Sequence, residues 1–400
     1  MTTQPLPSAS TSTMPVIILL ALAAFASSSA FRICDPLLPV LASEFGVRTA
    51  QASSAVTYFS IAYGVMQFFY GPVGDRYGKF FVLSLATFGC AAGSLLVASA
   101  PTLGILELGR FISGATAAGI IPLSMAWIGD HVPYAQRQAT LARYLLGSIS
   151  GIAIGQLLGG VFADTVGWRW AFVFLAVIYL VVGWLLISRR HSVVELPTSG
   201  GVRLLDPVRE VWAQPWARIV LVVVCLEGAF VFGPLAFVPA YLHERHEIAV
   251  AWAGGISGLF AAGALIYALY ANQFVRRFGE YRLAVAGGCI MAFAFAVYWF
   301  SSVWYWGVLA SILSGLGYYL LHAVLQTNAT QMAPAMRGTA VALFASFLFF
   351  GQSAGVILAS VAVDHLGLAA VFPIGIFGLP ILAIVFAWRL QKRQAAQTTI

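Results

Sequence analysis

The sequence predicts an all-α membrane protein, with twelve transmembrane helices forming two pseudo-symmetric six-helix bundles. Its 400 residues are 60% hydrophobic and 9% charged, whereas soluble domains carry roughly 25% charged residues. The apolar residues gather into twelve runs, each long enough to cross a bilayer. The second half of the chain also repeats landmarks of the first.

The runs lie at about 14–41, 51–71, 80–99, 102–126, 139–162 and 168–188, then at 216–242, 250–274, 283–302, 304–330, 338–362 and 368–389. Periodicity adds little, because a helix buried all round has no polar stripe. Residues 1–13 are Ser/Thr-rich, lack Lys and Arg, and read as a disordered tail. The first run contains AFASSSA, which imitates a signal cleavage site, but no basic segment precedes it and the run reads as a retained helix. The expected organisation is thus a tail (1–13), a bundle (14–188), a linker (189–215), a second bundle (216–389) and a tail (390–400). In the linker, Asp206 and Pro207 can start a short helix that brings Trp212 and Trp216 to the membrane surface.

The repeat fixes the architecture. A 200-residue step takes Arg137, Gly151, Gly155, Asp164 and Gly167 to Arg337, Gly351, Gly355, Asp364 and Gly367, and a 201-residue step takes Gly78 and Pro133 to Gly279 and Pro334. Parallel repeats of this kind place a substrate site between the halves near the bilayer midplane.

The net charge is +7 and the pI about 9.4. The cations are scattered between apolar runs, as membrane orientation requires, so nucleic acid is not an expected partner. With a cytoplasmic N-terminus, sixteen of the 21 Lys and Arg residues fall inside and three, Arg48, Arg169 and Arg245, outside. Arg32 and Arg110 lie within spans. Both termini are therefore expected in the cytoplasm. Cys34, Cys90, Cys225 and Cys289 sit in apolar runs without metal-ligand spacing. Neither a P-loop nor an H-E-x-x-H site is present, and no enzyme, cofactor or metal is expected.

Between the second and third runs, the sequence YGPVGDRYGKF (Tyr70–Phe80) forms a charged turn. Gly71, Asp75, Arg76, Gly78 and Lys79 match the G-x-x-x-D-R-x-G-[KR] pattern, and the chain resembles the major facilitator superfamily there. The resemblance implies that fold, and it implies a cytoplasmic gate built from these residues with Asp130 and Arg137 of IGDHVPYAQR. Asp130 would meet Arg76 or Lys79, and Asp75 would cap the eleventh helix near Arg337–Thr339, holding the outward-facing state. A carboxylate is favoured at a helix N-terminus. The second copy, NQFVRRFGEYR, keeps Arg277 and Gly279 but has Arg276 in the place of Asp75, so the first loop is expected to carry the latch.

An ionised group inside a membrane costs roughly 2.5 to 3.5 kcal/mol even on lenient scales, which makes Arg32, Asp35, Glu107, Arg110 and Glu227 functional candidates. Depth counting makes an Asp35–Arg110 pair feasible and puts Glu227 nearest the middle; Glu107 could equally be interfacial. LELGRFISGATAAG, with Arg110, Gly114 and Gly119, is similar to the fourth-helix motif of twelve-helix proton-coupled drug and metabolite exporters. Asp35, followed by PLLP, resembles their first-helix acid. GSISGIAIGQLLGG resembles their fifth-helix antiporter motif, in which Gly151, Gly155, Gly159 and Gly160 allow close helix packing, although Gln156 stands where a proline is expected.

The resemblance implies proton-coupled export of drug-like amphiphiles or small metabolites, by a monomer in the cell inner membrane. Asp35 and Glu227 would titrate and Arg110 would modulate them, since burial favours a protonated carboxyl group and a nearby guanidinium the ionised one. Arg32 would contact an anion. Tyr63, Gln67, Gln156, Phe230, Tyr267, Tyr270, Tyr318, Tyr319, His322 and Gln326 would line the cavity, a mainly aromatic surface with few polar handles. His322 could equally be a satisfied interhelical hydrogen bonder. The same fold supports an uptake symporter or uniporter for a small nutrient.

Overall fold

The computed structural model describes residues 14–189 and 205–398. The expected N-terminal tail, residues 190–204 of the linker and the last two residues lie outside these. The described chain is almost wholly helical. The first crossing is α1 (Met14–Arg32) with α2 (Leu38–Phe45), the second α3 (Thr49–Ala52) with α4 (Ser54–Tyr77), and the third α5 (Lys79–Ala98). The fourth is α6 (Leu103–Ala117) with α7 (Ile120–His131), the fifth α8 (Tyr134–Asp164) and the sixth α9 (Trp168–Ser188). After α10 (Leu205–Ala213), the second half contains α11 (Pro215–His246), α12 (Val250–Gly258), α13 (Phe260–Phe300), α14 (Trp306–Gln331), α15 (Arg337–Leu366) and α16 (Phe372–Thr398).

Ten helical stretches among the described residues are long and apolar enough to cross a membrane. One of them, Val250–Phe300, is 51 residues long and turns back at Gly279, so it crosses twice. The helix α4, richer in Ser, Tyr and Gly, supplies the twelfth crossing. Gly78 (φ 92°) and Gly279 (φ 70°) make the same turn in the two halves, at positive φ angles that disfavour any side chain.

The repeat is also visible in packing. A side chain on Gly151 or Gly155 would strike the backbone of Phe25 or Ser29 on α1, and one on Gly351 or Gly355 would strike that of Cys225 or Ala229 on α11. Each partner is thus displaced by the same 200 residues as the glycine that touches it. Small residues let helices approach where lipid gives no hydrophobic drive between them.

Two expectations are refined. The first crossing is not one helix, because it breaks at residues 33–37, where Pro36 has no N–H to donate. The linker helix α10 does form, and Trp212 stacks on Phe347 of α15 at 5.7 Å, while Trp216 opens α11 and stacks on Phe386 at 6.2 Å. Below, the terminal end is the one carrying Met14 and the end of α16, and the distal end is the opposite one.

Candidate functional site

A cavity of about 290 Å3 lies between the halves, with walls from α1, α4, α7, α8, α11, α13, α14 and α15. They belong to the first, second, fourth, fifth, seventh, eighth, tenth and eleventh crossings. Its surface is mainly aromatic: Phe31, Tyr63, Phe232, Phe260, Tyr318, Tyr319 and Phe349 all contribute. Polar atoms come from Ser28, Arg32, Ser148, His322 and Gln352. Tyr63 stacks on Phe349 across the halves at 4.0 Å, and buried Gln352 Nε2 donates to Ser60 Oγ at 2.9 Å.

Arg32 faces this cavity from the last turn of α1. Its guanidinium lies 5.5 Å from the Phe31 ring and 5.6 Å from the Phe232 ring. It also pairs with Asp35 Oδ2 at 3.0 Å. Asp35 is fully buried behind it and accepts from Gln156 Nε2 at 3.3 Å. Asp35 Oδ1 has no hydrogen-bond partner. In the other half, fully buried Glu227 meets His322 Nδ1 at 2.8 Å, and the His322 ring stacks on Tyr318 at 4.7 Å. His322 therefore presents one face to the cavity and one nitrogen to a carboxylate.

Arg110 does not pair with Asp35, contrary to expectation. The break in the first crossing leaves carbonyls of the last α1 turn without helical donors, and Arg110 satisfies one of them, donating to Ala30 O at 2.7 Å. It also donates to Ala55 O at 3.1 Å and lies 4.3 Å from the Phe59 ring. In this state Arg110 ties α1, α4 and α6 together. Gly114 lies against the Phe59 backbone, in the same seam. Glu107 accepts from Ser54 Oγ at 2.5 Å, near the distal end.

Of the other expected wall residues, Gln67 lines a different cavity, toward the terminal end. Gln156 is buried against Asp35. Phe230 packs on α16, where it crowds Gly378. Tyr267 stacks on Tyr319 at 6.2 Å, one layer behind the wall, Tyr270 is exposed and tilted against Phe274, and Gln326 is exposed. None of these six reaches the central cavity. Phe31, Phe232, Phe349 and Gln352 do reach it and were not anticipated. The repeat held the signal: one 200-residue step leads from Arg32 to Phe232, from Ser148 to Leu348 and from Ile152 to Gln352, all on this wall.

The two ends differ. At the distal end α8 and α12 touch through backbone: a Cβ on Gly160 would lie 2.5 Å from Val250 O, and one on Gly258 would lie 2.7 Å from Ala153 O. Asp164 Oδ2 accepts from Ala251 N at 2.7 Å, at the first turn of α12, and its repeat partner Asp364 pairs with Arg48 at 3.1 Å. Gly159 packs within the first half, against Ile33. At the terminal end, a cavity of about 700 Å3 separates Gly71 and Asp75 from Gly338 and Thr339. Asp75 does not cap α15, which has no side-chain cap, because this cavity stands between them. Lys79 instead gathers Asp130 (2.7 Å) and Asp75 (3.2 Å) inside one half. Arg76 lies against Tyr77, and Arg137 donates to Val132 O at 3.3 Å.

The chain matches the sequence profile of the Major Facilitator Superfamily over residues 20–290 and 249–399. It belongs to that superfamily. Among curated proteins, this facilitator is 22% identical over 371 residues to YceJ of Bacillus subtilis (strain 168), described as an uncharacterized MFS-type transporter, covering 90% of this chain and 93% of that one. It is 27% identical over 176 residues to the multidrug export protein EmrB of Haemophilus influenzae (strain ATCC 51907 / DSM 11121 / KW20 / Rd), which spans 43% of this chain and 34% of EmrB. Among solved structures, the nucleoside transporter NupG superposes with a TM-score of 0.73 at 14% identity, covering 95% of this chain and 98% of that one. The protein is a multi-pass membrane transporter and not an enzyme.

Proposed function

We propose that this facilitator is a proton-coupled antiporter that exports drug-like amphiphiles or small metabolites by alternating access. On this reading it works as a monomer in the inner membrane with the terminal end in the cytoplasm, and residues 14–188 and 216–389 are the rocking bundles. The observation that carries the proposal is the aromatic cavity between the halves with two buried acids directly behind its wall, Asp35 beneath Arg32 and Glu227 beneath His322. A proton taken up by either acid neutralises it and loosens its hold on the wall residue, Arg32 or His322, and so alters the fit for cargo. The partial likeness to a multidrug export protein supports export. In proteoliposomes, Asp35→Asn is expected to abolish transport driven by a pH gradient while leaving the protein inserted. Undiminished gradient-driven efflux would remove Asp35 from the coupling.

One observation favours a second reading, uptake of a small nutrient with protons. Arg32 faces the cavity and Asp35 does not, so an anion drawn onto Arg32 would release Asp35 to take a proton, loading both together. The sign of the pH response in vesicles separates the two: cargo moving against the proton gradient marks antiport, and cargo moving with it marks symport.

A further inference from the structure

A groove of about 600 Å3 opens at the terminal end of the second half, between the start of α11, the end of α14 and the last turns of α16. Arg389, Lys392 and Arg393 line it from one face of α16, as spacings of three and four residues require. No carboxylate lines it, and none of the three cations has an ion-pair partner among the described residues. Instead they rest on aromatic rings: Arg393 lies 4.6 Å from the Trp216 ring, and Lys392 3.8 Å from that of Trp388. Trp216 Nε1 is buried without a hydrogen-bond partner, and α11 begins at Pro215 with no side-chain cap. The groove therefore offers positive charge, beside an indole N–H without a partner and an uncapped helix start. Glu280, which accepts from Gln394 at 3.5 Å, stands outside it.

The face of α16 that carries these cations continues into the membrane. Ile381, Ile384, Val385 and Trp388 are all exposed, at 62%, 50%, 48% and 45%, and their spacing places them in line with Lys392. An occupant that fits the whole surface has an apolar body along this stripe and an anionic head in the groove. We propose that the groove binds the headgroup of an anionic phospholipid from the leaflet at the terminal end, with its acyl chains along α16. Basic pockets between helices at a membrane interface recognise such headgroups, at about 1 kcal/mol per Lys or Arg near the surface. All three walls belong to one half, so rocking of the halves leaves the site intact, and the lipid anchors the second half in every state.

The test uses the full-length protein in detergent, with lipid binding followed by native mass spectrometry and by thermal unfolding. Phosphatidylglycerol is expected to bind more tightly than phosphatidylcholine and to raise the unfolding temperature. The R389Q/K392Q/R393Q variant should weaken phosphatidylglycerol binding by on the order of a hundredfold, whereas the control R276Q/R277Q, on the turn of α13, should keep it. Trp216→Phe keeps an aromatic ring beside Arg393 but loses the pyrrole part of the indole with its N–H; it should release phosphatidylglycerol more readily and so tests the site even where the triple variant fails to fold. The proposal is overturned by a triple variant that still binds phosphatidylglycerol as tightly, by an unaffected Trp216→Phe, by an equal loss in the control, which would indicate diffuse surface charge, or by inorganic phosphate giving the same thermal shift, which would indicate a free-anion pocket.

Discussion

At the distal end the two halves meet backbone against backbone, whereas at the terminal end the charged loop of Tyr70–Phe80 keeps its ion pairs within one half and faces a cavity. The difference shows where this state is held. Close glycine contacts between α8 and α12 leave no room for water, so separating them forfeits packing along the seam. Lys79, Asp75 and Asp130 form a cluster that stays whole whether or not the halves separate. The distal aspartates are of the opposite kind: Asp164 reaches from the first half to the first turn of α12, and Asp364 from the second half to the Arg48 side chain just before α3.

The comparison can be broken in order of expected effect. Gly160→Leu should act most strongly, because its Cβ alone would lie 2.5 Å from Val250 O; overpacking of this kind costs about 1–3 kcal/mol or more. Spin labels across the distal end should then report the separated form, and an unchanged distance distribution would deny the glycine seam its role. Asp164→Ala removes the carboxylate that accepts from Ala251 N. Loss of a helix-start acceptor costs roughly 1 kcal/mol, so the ratio of closed to separated forms should fall about fivefold by the same labels. Asp364→Asn should do less. Its partner Arg48 has a 64% exposed side chain, and pairs so exposed contribute ~0–1 kcal/mol; the effect should vanish in high salt, where surface charges are screened. Asp75→Asn should leave the closed distal population unchanged, since Asp75 touches only its own half here. A shift as large as that of Asp164→Ala would mean that the terminal loop also holds this state.

Much of this was legible in the sequence. Hydropathy gave the twelve crossings, and the repeat gave their pairing, because a 200-residue step recurs in the glycine contacts. Lys79 found Asp130 as the motif suggested. The partner of Arg110 was not legible. A guanidinium donates to carbonyl oxygens as readily as to carboxylates, and the Ala30 carbonyl became free only where the first helix breaks before Pro36. Gln156 read as a lapse from a motif, and in the fold its amide reaches Asp35.

By itself the sequence determined that the chain lies in a bilayer, that its two halves repeat one pattern, and which charged residues fall within the apolar runs. Those properties follow from composition, run length and repetition, which are local or one-dimensional. Only the tertiary structure decided which face each helix turns to the cavity, that Arg32 rather than Arg110 holds Asp35, and which end is shut. The physical reason is that helices apolar on every side carry no stripe to fix their rotation, so side-chain packing between helices sets it.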